Sequence, residues 1–296
     1  MNNRKWGESF LKSGIPLEYQ AFLIFKSNNC TCSFHSEYQR FNEDHKLTWF
    51  ENDIFANYGK FNKDTDLNFI IECKYHDLSR FWMFIPYLDG GFQHDGGVLT
   101  CGPYRMLENP DKKGAIQLAK QAQYGLVISE DGIKQENSVY SAVQQLSYSY
   151  VPVSVSVMYG FDFQGDEPWA SIILPVIVTN AKLFLLKNDL QSLDQIRDAS
   201  KPIDIADEVE WLWLKKEYSF EMCDQNFEII KNHKKTDPDF KKFPYDNDLL
   251  IDLASRPHWL AVANIIYLDK FIKEIIKYFL SIDTLEINHF KINNLK

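Results

Sequence analysis

The chain has 296 residues, a formal net charge of −9, 45% apolar and 15% aromatic residues. That supplies core for one large domain or two modest ones, and the acidic balance argues against a surface built for nonspecific nucleic-acid binding. No apolar run reaches membrane-spanning length, since residues 172–178 are broken by Pro175 and residues 265–280 are studded with charge.

The amino-terminal MNNRKWGESF lacks the apolar segment of a secretory signal, so a cytoplasmic location is expected. Five cysteines (Cys30, Cys32, Cys73, Cys101, Cys223) follow no paired framework. Cys30 and Cys32 share one strand face and could open a zinc site. No second ligand pair follows at suitable spacing, so reduced structural thiols are expected.

In chain order, a turn at Gly14-Ile15-Pro16 leads into a helix with Tyr19, Phe22, Leu23 and Lys26 at helical spacing, ended by Asn28-Asn29. Residues 30–41 and 47–56 alternate as strands, the second with Trp49, Glu51, Asp53 and Phe55 on one face. Residues 67–75, LNFIIECKY, form a third, and the short connections make the three antiparallel. Residues 81–87 read as a short strand or packed loop, 89–103 as a glycine-rich mobile loop, 110–124 as a helix and 126–129 as a short apolar run. Asn137-Ser138 caps a helix to about residue 150 with Val139, Val143, Leu146 and Tyr150 buried, and residues 151–158 alternate as a strand. A loop at 160–168 follows, then two strands within 170–186 turning at Thr179-Asn180-Ala181. Beyond Lys187, residues 208–220 alternate charged and aromatic residues, and 232–245 read as a linker. Residues 259–280 are expected as a long amphipathic helix with Leu260, Ala263, Ile266, Lys270, Ile272, Ile276 and Phe279 inward. The division expected is a core over 1–190, with an insertion at about 78–136, and a carboxy-terminal extension over 191–296.

The chemistry concentrates on strand 67–75. Glu72 and Lys74 project to one side of it, and a charged pair ending an apolar strand is costly unless something outside the core requires it. Asp53 lies on the preceding strand and Glu18 on the first helix. Adjacent strands lie about 5 Å apart, so carboxylates at matching heights can share a divalent cation. Oxygen ligands suit Mg²⁺ or Mn²⁺, and a neighbouring lysine can orient a water and stabilise charge at phosphorus.

ENDIFA (51–56) followed by FIIECKY (69–75), after a helix bearing Glu18, resembles the PD-(D/E)xK nuclease superfamily of restriction-endonuclease-like proteins. Asn52 stands in place of the signature's proline, which many members also lack. The resemblance implies an α/β (α+β) fold with a restriction-endonuclease-like core, a mixed central sheet flanked by helices, here with a carboxy-terminal helical extension. It also implies a Mg²⁺-dependent nuclease in which Asp53, Glu72 and the Cys73 backbone carbonyl bind metal, Lys74 serves the attacking water and Glu18 is the helical acid. The substrate expected is nucleic acid, most simply DNA, and a bacterial defence role follows by analogy.

The charge balance leaves phosphate contacts to a local patch such as Lys60, Lys63, Lys112 and Lys113. Gln144 or Gln145 could face the site. His76, just past Lys74, is expected to be structural, and His94 and Asp95 are set aside as part of the glycine-rich loop. No GxxxxGK[ST] pattern is present, which excludes an NTPase-type phosphate cradle. The alternative reading is a nuclease-fold binding or assembly subunit, with the carboxy-terminal region meeting a partner protein or a second copy.

Overall fold

The computed structural model describes residues 5–42, 44, 46–59, 65–77, 79–87, 120–129, 138–159, 170–190, 192–236, 253–255 and 258–281. Two helices lead, α1 (Lys5–Lys12) and α2 (Ile15–Ser27). They join through Gly14, whose φ of 85° lies in the left-handed region that side chains disfavour. Pro16 occupies the first turn of α2, where no backbone N–H is required. An antiparallel meander follows: β1 (Thr31–Phe41), β2 (Leu47–Gly59) and β3 (Thr65–Lys74).

Next come β4 (Arg80–Pro86), β5 (Lys120–Ser129), the long helix α3 (Ser138–Tyr159), β6 (Ala170–Thr179) and β7 (Lys182–Leu186). Short helices α4 (Leu193–Asp198) and α5 (Pro202–Ile205) precede β8 (Ala206–Val209) and β9 (Trp211–Lys216). The described elements close with α6 (Phe220–Thr236), β10 (His258–Asn264), a 3-10 turn (Ile265–Tyr267) and α7 (Leu268–Ser281).

The described strands form one mixed sheet in the order β1-β2-β3-β6-β10-β9-β5-β4-β7-β8. β6 runs parallel to both β3 and β10. Strands from residues 206–264 are therefore built into the same sheet as those from 31–186. The central strands read as continuous apolar runs because both faces are covered. On one face α2 and α7, through Leu17, Ala21, Phe25, Phe271 and Ile275, pack on Ile54, Phe69, Ile71 and Val176. On the other, α3 and α6 pack on Ile70, Ile173, Ile177 and Val262. Successive residues Ile70 and Ile71, both fully buried, thus belong to opposite cores, as strand alternation requires.

Several expectations are corrected. Residues 151–158 are not a strand but the second half of α3, which runs through Pro152. Burial of Val151, Val153 and Val155 outweighs the weak helix propensity of valine. Ser147 and Ser154 donate back to the carbonyls of Val143 and Tyr150, so their hydroxyls are satisfied within the helix.

Lys120–Tyr124, expected in a helix, belong to β5 together with the 126–129 run. Gly125 in that strand is required by packing, since a Cβ there would lie 2.5 Å from the Phe84 ring. The helix expected from residue 259 begins only at Leu268, because residues 258–264 are a central strand with both faces buried. Asn264 ends that strand by accepting from the Ile266 N–H. Ile266 and Lys270, expected inward, are exposed. The 232–245 segment begins as the end of α6, which reaches Thr236.

The glycine-rich stretch with His94 and Asp95, the lysines at 60, 63, 112 and 113, and the 160–168 loop lie outside the described residues. Among the described residues no helix is long and apolar enough to cross a membrane.

Candidate active site

β2 and β3 pair from Gly59 and Asp66 to Ile54 and Ile71, and there they part. One further step of that register would set Asp53 opposite Glu72. β2 instead continues with β1 as far as Leu47 and Phe41. The N–H of Cys73 donates to Asp53 Oδ2 at 2.6 Å, so a side chain supplies the acceptor that the departing backbone no longer offers. Within a strand, the N–H and C=O of one residue point to the same side, so the Cys73 carbonyl also faces the gap.

Glu72 and Lys74 project toward α3, on the side opposite to Cys73, as the alternation predicts. Lys74 Nζ lies 2.5 Å from Glu72 Oε1 and donates to Gln145 Oε1 on α3 at 2.8 Å. Glu72 is 2% exposed, and its second oxygen, Oε2, is buried with no hydrogen-bond partner among the described residues. Such an oxygen is expensive to keep. Burial first, and then the Asp53 charge, push the Glu72 carboxyl up to about 7 against the opposing pull of Lys74. Asp53 is raised by burial, opposed by the Cys73 N–H and by Lys74. Glu18 on α2 is raised by its own partial burial and then by Asp53. The three acids act on one another electrostatically, so one cation placed among them would favour the ionised form of all three.

A proline inside α3 frees a carbonyl that a buried arginine takes up. Pro152 cannot donate to the carbonyl of Tyr148, and that carbonyl accepts from Arg40 Nη1 at 3.0 Å. Arg40, on β1 and 2% exposed, also donates to Asn226 Oδ1 at 3.0 Å and Gln225 Oε1 at 2.8 Å on α6. Its guanidinium lies 4.5 Å from the centre of the Tyr148 ring. All of these acceptors are neutral, and burial lowers the Arg40 pKa. This one side chain ties β1, α3 and α6 together, and Gln145 is one turn of α3 from its anchor. Gln144 points elsewhere and donates to the Tyr148 hydroxyl at 3.3 Å.

His76 has the structural place expected of it. It is 5% exposed, its Nε2 lies 2.8 Å from Ser138 Oγ, and its ring meets Trp82 edge-on at 5.5 Å. Its backbone exchanges two hydrogen bonds with the Asn180 side chain, which fastens the end of β3 to the β6–β7 turn.

His35 was not anticipated. It falls between the pairs Phe34–Ile54 and Ser36–Asn52, opposite Asp53 across the β1–β2 ladder, with a φ of 49°. A left-handed residue inside a strand is uncommon and concentrates at functional positions. Its Nδ1 lies 3.5 Å from Glu51 Oε1. The hairpin register is the signal that locates it.

The donor set fits a hard divalent cation. Two carboxylates and a backbone carbonyl converge on the parting of β2 and β3, and the orphaned Glu72 Oε2 is the kind of atom that a cation would satisfy. Among the described residues no three His, Cys, Asp or Glu side chains form a metal-holding group. That is compatible with an ion that retains most of its waters. Comparison with protein-family models, with curated proteins and with solved structures yielded no match.

Proposed function

We propose that the chain is a Mg²⁺-dependent nuclease that hydrolyses phosphodiester bonds, with DNA as the simplest substrate. The observation that carries this reading is the unpartnered, buried Glu72 Oε2 beside Asp53, with Lys74 held against the same carboxylate. The order α2, β1–β2–β3, α3, β6, with β6 parallel to β3, supports a restriction-endonuclease-like core.

In this reading Asp53, Glu72 and the Cys73 carbonyl hold the ion. When bound, it would supply a water of lowered pKa and neutralise charge developing at phosphorus. Lys74, clamped between Glu72 and Gln145, presents its ammonium to the attacking water and the phosphoryl oxygens. Glu18 adds negative charge from the α2 side, which strengthens the hold on a cation.

The test is cleavage of DNA by purified protein with Mg²⁺. Wild type should cut, and Asp53→Ala and Lys74→Ala should not. Equal cleavage by both variants and wild type would sink the assignment. Calorimetric Mg²⁺ uptake should fall in Glu72→Gln.

A further inference from the structure

α2 is apolar on two sides, of which only one is buried among the described residues. Leu17, Ala21 and Phe25 are buried against the sheet, whereas Ile15, Tyr19 and Leu23, one turn apart on another face, are all exposed. On α1, Trp6 is 75% and Phe10 51% exposed. Exposed apolar surface concentrated in this way marks a contact site more often than chance.

This face leads into the candidate site. Tyr19 follows Glu18, and its ring lies within 11° of parallel to Phe34, centroids 6.5 Å apart. Phe22 stacks beneath Phe34 at 4.2 Å and 13°. The next residue after Phe34 is His35, across the ladder from Asp53. A file of near-parallel rings therefore runs from the exposed α2 face to the parting of β2 and β3. Residues 5–27 hold three lysines against two glutamates, in a chain whose overall charge is −9. Lys26 Nζ lies 5.9 Å from the centre of the Phe22 ring.

We infer that this face, Trp6 and Phe10 on α1 with Tyr19 and Phe34, binds the unstacked bases of single-stranded nucleic acid beside the cleavage site. The inference rests on the nuclease reading and names its substrate class. A duplex keeps its base faces stacked on one another and offers chiefly phosphate, which an acidic protein is poorly charged to grip. A single strand offers a π-face at every base, and stacking on aromatic rings is sequence-tolerant.

The test is anisotropy of labelled oligothymidylate and of a duplex of equal length, in EDTA so that nothing is cut. Wild type should bind the single strand more tightly than the duplex. Trp6→Ala and Tyr19→Ala, both at exposed positions, should each weaken single-strand binding about tenfold with unchanged circular dichroism. Variants that bind as wild type, or a duplex bound as tightly as the single strand, overturn the inference. So does a shift from dimer to monomer in Trp6→Ala with binding unchanged, which would make the face an interface between copies. Asp53→Asn should keep binding and lose cleavage. Binding without cleavage by wild type in Mg²⁺ would remove the nuclease reading alone.

Discussion

Cys73 and Asp53 exchange a hydrogen bond where two strands separate: the Cys73 N–H donates to Asp53 Oδ2 at 2.6 Å. The same carboxylate closes the ladder and, in the proposed function, holds the ion. The two roles separate by substitution. Asp53→Asn keeps an acceptor for the N–H, whereas Asp53→Ala leaves that donor unpaired. The alanine variant should therefore be less stable than the asparagine variant by about 1–2 kcal/mol in urea unfolding, while both are inactive.

Glu72 gives a pH prediction whose sign is set by burial. Its carboxyl titrates at about 7 in the fold and at about 4.5 when unperturbed. The folded state thus binds more protons between those values, and stability falls as pH rises through that window. The full effect is of order 3 kcal/mol. Glu72→Gln removes it, leaving Lys74 with Gln145, and should raise the unfolding free energy at pH 8 by about 2 kcal/mol. Mg²⁺ should stabilise wild type at pH 8 and leave Glu72→Gln unchanged; chelation should reverse the wild-type gain. Equal stabilisation of both proteins by Mg²⁺ would place the ion elsewhere.

His76 acts in the opposite sense. Burial first, then the Arg80 charge, hold its imidazole down at about 4, against about 6.5 unperturbed. The unfolded state binds more protons between pH 6.5 and 4, so stability is lost as pH falls across that range, by about 2–3 kcal/mol. His76→Gln should flatten that arm of the stability curve, measured as melting temperature between pH 4 and 7.

Gln145 touches Lys74 and no other member of the acidic cluster. Gln145→Ala should leave the unfolding free energy within about 0.5 kcal/mol of wild type and lower kcat about tenfold, the worth of one hydrogen bond to a charged group. A loss confined to KM would mean that Gln145 meets substrate rather than holding Lys74.

Arg40 carries a structural prediction. Replacement by Met leaves the Tyr148 carbonyl and the Asn226 and Gln225 side-chain oxygens without their donor. A cost of about 3 kcal/mol is expected by urea denaturation, and Arg40→Lys, with one nitrogen for three acceptors, should recover only part of it.

The meander and the common side of Glu72 and Lys74 were legible because they rest on local signals. Strand alternation placed Glu72 and Lys74 on one side, and Pro16 placed the start of α2. The failures came where tertiary burial overrides local pattern. The Val and Ser alternation of residues 151–158 has the period of a strand, yet Ser154 bonds within the helix and Val151, Val153 and Val155 are buried. Residues 258–264 carry no period at all, because a central strand buried on both faces needs none. His35 became visible only once two strands were aligned, since its relation to Asp53 is a matter of register rather than sequence.

β10 occupies the middle of the sheet, between β6 and β9, although it comes from residues 258–264. During synthesis, β6 and β9 therefore wait with open edges until nearly the whole described chain has been made. Contacts of such sequence separation close slowly, and waiting edges invite pairing with other chains. β6 is also the strand against which β3 lays Glu72, in register with Ile177. The acidic cluster thus gains its full backing only once residues 258–264 have been made, and a nascent chain without them would carry its three acids without the rigid frame that brings them together.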